Sequence, residues 1–121
     1  MKPAFVVLNM YQGQTYTDTL TLTDAAGAAI DLTGRSARMQ VRDEFGTVKL
    51  ELGTDDGTIL PLGSSGVVGF HIPAATLAAL STQYDYEQWN YDLELFYLDG
   101  AEEVVERPVR GIALFWPEVT V

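Results

Sequence analysis

The feature that most constrains the fold is an unbroken alternation of apolar and polar residues over positions 36–42. Ala37, Met39 and Val41 hold one phase of the alternation, and serine, arginine and glutamine hold the other. Successive side chains of a β-strand point to opposite faces, so a period of two predicts a strand with one apolar and one polar face. A turn precedes the strand, in which Asp31 can accept a backbone N–H two residues on.

Both faces of this strand need partners elsewhere in the chain. A second sheet must cover Met39 and Val41, because apolar surface left in water costs free energy. The strand and the turn before it also carry Arg35, Arg38 and Arg42, three of the seven cationic residues in a chain with a net charge of −10. We expect acids to face them, and opposite charges across strands favour acids of the same sheet over those of a neighbouring subunit.

The rest of the chain repeats the strand signal. Alternating or short apolar segments occur at 5–9, 14–23, 47–52, 67–72, 89–98, 104–109 and 111–116. Residues 74–80 favour one helix of about two turns. Pro108 cannot donate to a ladder, so it indicates an edge position, a bulge or a strand end. The pattern predicts an all-β, immunoglobulin-like antiparallel β-sandwich of about seven or eight strands with one short helix.

Composition limits the size of the fold and its partners. A chain of 121 residues has the length of one domain, and we expect residues 1–121 to form a single sandwich. The absence of cysteine excludes disulfides and thiolate metal sites. Seventeen acids against seven bases disfavour nucleic acid and anionic membranes as partners. The acidity is explained by solubility or by repulsion from polyanions, and both interpretations stay open.

Candidate catalytic and metal-binding groups are few and isolated. His71 is the sole histidine, and no G-x-S-x-G segment accompanies it. Adjacent acids point in opposite directions on an extended chain, so they do not converge by local geometry. The turn containing Asp55, Asp56 and Gly57 is the best calcium candidate, but a solvated turn is the simpler interpretation. We therefore expect no catalytic residue, no cofactor, no bound metal and no enzymatic activity.

The C-terminal half has more apolar surface than one core needs. Phe96 and Leu98 lie in the strand phase opposite Leu93, and residues 110–116 are apolar in both phases. A strand that is apolar on both faces predicts coverage by the short helix or by another subunit. Aromatic residues also cluster within 84–97, where they either fill the core or form a surface for sugars or proteins.

Several segments in fixed order resemble a family of small phage and prophage virion proteins. Residues 13–16, 20–22, 27–34 and 37–42 are similar to its G-[DQ]-T-[FY] strand start, G-x-x-[IV]-D-L-T-G turn and A-R-M-Q-[IV]-R strand. Residues 66–72, 73–75 and 91–95 also look similar, so the resemblance spans about residues 10–110. The segment 84–89 departs from the pattern, because it is longer and more aromatic than the expected turn.

The resemblance implies a structural protein of a tailed-phage virion, located in the tail, baseplate or head–tail neck and assembled in the host cytoplasm. Its partners would be other virion proteins, and we expect a symmetric homo-oligomer or ring without nucleic acid or membrane. The apolar strand faces and the arginines supply the candidate interface residues, which are Phe96, Leu98, Ile112, Leu114, Trp116, Arg38 and Arg42.

Two other functions stay open from the sequence. One is a capsid decoration or cement protein, since a small acidic sandwich suits a capsid exterior. The other is a carbohydrate-binding attachment module, which predicts a solvent-facing aromatic platform at Tyr84, Tyr86 and Trp89.

Overall fold

Seven strands and one short helix form the described part of the chain. The structure, a computed structural model, describes residues 4–80 and 87–117. The elements are β1 (Ala4–Tyr11), β2 (Tyr16–Thr21), β3 (Ser36–Arg42), β4 (Val48–Gly53), β5 (Val67–Ile72), α1 (Ala74–Ala78), β6 (Glu87–Asp99) and β7 (Glu102–Trp116). No helix within these residues has the length and apolar character needed to cross a membrane.

The strands form two sheets that enclose one core. The larger sheet has the order β1-β7-β6-β3-β4, and the smaller pairs β2 with β5. A bridge from Ile59 to Phe70 extends the smaller sheet. This arrangement confirms the predicted all-β sandwich with one short helix. The ladder between β1 and β7 is parallel, whereas the other ladders between the named strands are antiparallel.

The predicted strands 104–109 and 111–116 are one continuous strand, β7. Pro108 lies in a bulge, where the register against β6 shifts between Leu93 and Leu95. A bulge leaves one residue outside the ladder, so the missing N–H of proline removes no hydrogen bond there. The bulge was one of the three positions that the sequence allowed for this proline.

The smaller sheet covers the apolar face of β3, as predicted. Met39 and Val41 are fully buried, as are Phe70 and Ile72 from β5. The helix α1 is shorter than the predicted 74–80 and inserts Leu77 into the core. Because the helix packs on the core through Leu77, it does not cover the outer face of the large sheet, which is the face opposite the core.

Several tight turns that end in glycine are each closed by an aspartate side chain. The Asp31 carboxylate accepts the Thr33 N–H at 2.9 Å, which confirms the predicted Asx-type turn. Gly34 has a φ of +81°, a conformation that costs other residues steric strain. Asp43 performs the same role in the β3–β4 connection, where it accepts the N–H groups of Phe45 and Thr47.

One tyrosine connects three adjacent strands at the β1 edge. Tyr91 lies opposite Gly111, and Gly111 lies opposite Val6. The Tyr91 hydroxyl donates to the Val6 carbonyl oxygen at 2.7 Å. A Cβ at position 111 would collide with that same oxygen, so only glycine allows the contact. Burial, followed by the nearby charge of Asp18, raises the pKa of Tyr91 to about 12.

Candidate protein-interaction surface

The candidate site is the outer face of the five-stranded sheet, which is the face opposite the core. Side chains directly across a ladder share a face, so strand registers place every residue. Arg38 lies opposite Glu94, and Asn90 lies opposite Ile112. By the same alternation, all seven residues predicted as interface candidates lie on this face: Arg38, Arg42, Phe96, Leu98, Ile112, Leu114 and Trp116.

Arg38 occupies the centre of a charged network on the outer face. Its guanidinium donates to Glu94 at 2.7 Å and to Glu103 at 2.8 Å, and Arg107 contacts the second oxygen of Glu94 at 2.6 Å. The hydrogen bond from Arg38, helped by the charge of Arg107, lowers the pKa of Glu94. These side chains are 20–59% exposed, so water screens their charges and each pair adds about 1 kcal/mol or less to stability.

Arg35 and Arg42, the other two arginines of β3 and the turn before it, also contact groups of the same chain. Arg35 contacts Glu106, and its guanidinium lies 4.8 Å from the ring centroid of Tyr97. Arg42 donates to the Gly46 carbonyl at 2.8 Å and to the Gln40 side chain. The expected pairing within the sheet is therefore present, although Arg42 bonds to neutral oxygens.

An apolar patch lies where β1 and β7 meet, and we call it the β1–β7 corner. It consists of Val7, Tyr11, Ile112, Leu114 and Trp116. Val7 lies opposite Ile112 in the parallel ladder. Tyr11 and Trp116 stack with ring centroids 6.5 Å apart and planes inclined by 17°. Tryptophan and tyrosine in an apolar patch are the residues that most often dominate protein-binding energy.

A second apolar patch lies at the opposite end of the face, on the β6–β7 hairpin. Phe96 lies opposite Val105, and the Arg38 guanidinium sits 4.3 Å from the Phe96 ring centroid. Leu98 follows in the same strand phase and is 71% exposed. The exposed leucine is available to a partner, beside the partly buried Phe96 ring.

Between the patches, the outer face forms a shallow concavity of about 810 Å³. Arg38, Arg42, Arg107 and Arg110 line it together with acids that include Asp92. Four of the seven cationic residues of the chain therefore lie in one concavity. Because both signs of charge alternate there, the surface suits a protein with matching charges better than a polyanion.

Sequence reasoning missed the contribution of β1 to this surface. Phe5 is 63% exposed, and Val7 and Tyr11 are about half exposed. The sequence predicted a strand at 5–9, but no local signal tells that it lies beside a strand about a hundred residues later. The outward phase of β1 is apolar, and that signal alone could have drawn attention to it.

The remaining chemical candidates do not form a reactive site in the described residues. His71 is exposed on β5 and lines a shallow depression that also contains Asp18, but the strand register places Thr17 directly opposite it. Asp56 accepts both the N–H and the hydroxyl of Thr58, which lowers the pKa of Asp56 and closes a turn. Within 4–80 and 87–117, no three acids or histidines are grouped to hold a metal.

The aromatic platform expected of a sugar-binding module loses one of its members. Trp89 is 1% exposed and packs against Phe115 with ring centroids 4.8 Å apart. A buried ring cannot stack on a sugar. The other two predicted members, Tyr84 and Tyr86, lie outside the described residues.

Comparison with known proteins gives a likeness of fold. No family model and no curated protein matches the chain. Among solved structures, the chain is similar to the N-terminal domain of phage TP901-1 ORF48, with a TM-score of 0.54 over 95% of this chain and 85% of that one. The sequences are 9% identical, so the likeness is one of architecture. The fold is therefore one that a phage protein uses.

Proposed function

We propose that this protein is a non-enzymatic structural component of a tailed-phage virion, located in the tail, baseplate or head–tail neck. Within the particle, the outer face binds other virion proteins in a symmetric assembly. The observation that carries the proposal is the conjunction of a phage-protein fold with two apolar patches on one exposed sheet face.

The geometry supports binding in two steps. The mixed charges around Arg38 select an orientation, because a partner with the wrong charge pattern meets like charges. The apolar corner and the hairpin patch then lose water, which supplies most of the favourable free energy. A stable contact of this kind buries about 1,000 Å² or more, and a sheet face of five strands offers such an area.

The test is quantitative mass spectrometry of purified, salt-washed phage particles that carry this gene. We expect peptides of the protein at a copy number that is a small multiple of three or six, as tail, baseplate or neck symmetry requires. A copy number in the hundreds would instead favour the tail tube or a capsid decoration protein. Complete absence from the particles would contradict the virion role.

A further inference from the structure

The edge strand β1 is unusual because nothing in it discourages pairing with another strand. Natural edge strands carry charges, prolines or bulges that prevent such pairing. β1 has the sequence AFVVLNMY, with no charge, no proline and no register shift along its eight residues. The opposite edge, β4, carries Lys49 and Glu51 and borders a bulge at Arg42. Within the described residues, only one side of β1 is paired.

The hydrogen-bond pattern identifies which backbone groups of β1 are free. The Gln12 N–H donates to the Trp116 carbonyl at 2.9 Å, so even-numbered residues of β1 point their backbone groups at β7. Backbone groups alternate in direction along a strand, so those of Phe5, Val7 and Asn9 point away from the sheet. Those free groups form one continuous row.

We propose that β1 pairs antiparallel with β1 of a second copy of this chain, about a twofold axis at Val7. In this register, Val7 faces its own counterpart, and Phe5 of each copy faces Asn9 of the other. All three outward-pointing residues then lie in hydrogen-bonded pairs, each exchanging two N–H···O=C bonds. The two large sheets become one continuous sheet across the axis.

A second copy fits this edge better than a strand of another character. Both copies carry a net charge of −10 and repel each other overall, and β1 adds no like charge to the contact because it carries none. A basic strand would be attracted to the molecule, but it would find no acid on β1 to fix its register. The exposed Val7 side chain faces its own apolar counterpart, and the two β1–β7 corners become continuous.

The proposal names one contact within the symmetric assembly proposed above, and in that sense it rests on the proposed function. Its test uses the pure, full-length protein alone. Dimerisation can therefore fail while the virion role stands, and absence from particles would leave a measured dimer intact.

The first experiment is sedimentation equilibrium across a wide range of concentrations. We expect the wild type to pass from monomer to dimer as concentration rises. Val7→Pro removes only an N–H that faces solvent, so it should preserve the fold and give a monomer at every concentration. Phe45→Ser, which removes a side chain 84% exposed in the β3–β4 turn, is the control and should dimerise like the wild type.

The second experiment tests the register and does not depend on Val7→Pro folding. The chain has no cysteine, so a single introduced thiol is unique. Val7→Cys places two thiols in a hydrogen-bonded pair with Cα atoms about 5.5 Å apart, within the range of a disulfide. Asn9→Cys leaves the two thiols about 14 Å apart along the strands. We expect Val7→Cys to cross-link about tenfold faster or more under mild oxidation.

Two results would overturn the proposal. One is a wild-type protein that stays monomeric at all concentrations, as it would if another segment of the same chain covered β1. The other is equal cross-linking of the Val7→Cys and Asn9→Cys variants, which would indicate random collision or another register.

Discussion

At the scale of single residues, one glycine decides how closely β1 can approach the sheet. Gly111 leaves space for the Val6 carbonyl oxygen, and the Tyr91 hydroxyl reaches that oxygen across it. The sequence left the aromatic residues of 84–97 open between core and surface, and the structure buries Tyr91. Sequence alternation could not reveal this hydrogen bond, because it joins residues 85 positions apart.

We predict that Gly111→Ala destabilises the protein by about 1–3 kcal/mol, since the added methyl group must displace backbone. The control is Gly63→Ala, where an added Cβ meets nothing within 4 Å. Chemical denaturation measures the free energy of unfolding of both variants. Equal effects at the two positions would contradict the close approach of β1.

The raised pKa of Tyr91 predicts a loss of stability at high pH. The unfolded state releases the tyrosine proton near pH 10, whereas the folded state holds it until about pH 12. The folded state therefore binds more protons between these values, and the free energy of unfolding falls as pH rises through them. Burial and the Asp18 hydrogen bond raise the pKa of Tyr16 as well, so it adds to the effect.

The variant Tyr91→Phe separates this contribution from other groups that titrate in the same range. We expect its unfolding free energy to fall less steeply than that of the wild type between pH 10 and 12. It should also be lower near pH 7 by about 1 kcal/mol, because the hydrogen bond to Val6 is lost. Parallel pH profiles for the two proteins would show that Tyr91 does not ionise differently on folding.

At the scale of elements, hairpins and turns were predictable, and pairing between distant strands was not. Alternation over 36–42 predicted β3, and the Asp31 turn before it is present with its expected hydrogen bond. No turn signal could predict the parallel pairing of β1 with β7, because most of the chain separates the two strands. The interface candidates on β6 and β7 lie on one face in the structure, whereas the sequence did not draw attention to Val7 and Tyr11 beside them.

The β3–β4 turn tests the role of the aspartate that closes it. Asp43→Ala leaves the N–H groups of Phe45 and Thr47 without their side-chain acceptor, and we expect a loss of about 1–2 kcal/mol. Glu44→Ala changes the adjacent exposed carboxylate and should alter stability by less than about 0.5 kcal/mol. Thermal and urea unfolding of both variants provide the measurement, and similar losses would refute a specific role for Asp43.

At the scale of the whole molecule, both sheets contribute to one buried cluster. Trp89 and Phe115 from the large sheet share it with Phe70 and Ile72 from the small one. Neither sheet can bury its apolar face without the other, which supports our proposal that the chain is a single domain. The sequence predicted this arrangement from the need to cover Met39 and Val41.

We therefore predict a single cooperative unfolding transition. The two tryptophans report on different places, since Trp89 is in the core and Trp116 lies on the outer face. Tryptophan fluorescence and far-ultraviolet circular dichroism should give coincident transitions. A separate early transition in either signal would mean that the two sheets unfold independently.

The central claim is that the outer face holds the protein in a virion, and incorporation of a surface variant tests it most directly. Leu98→Glu combined with Leu114→Glu adds charge to both apolar patches, whereas Thr19→Glu combined with Thr21→Glu adds the same charge to exposed positions on β2. Both variants, once shown to fold, would be supplied in trans to a phage lacking the gene. The account predicts that particles contain the β2 variant at wild-type copy number and lose the outer-face variant by tenfold or more, about 1.4 kcal/mol of binding or greater. Equal incorporation of the two would contradict it.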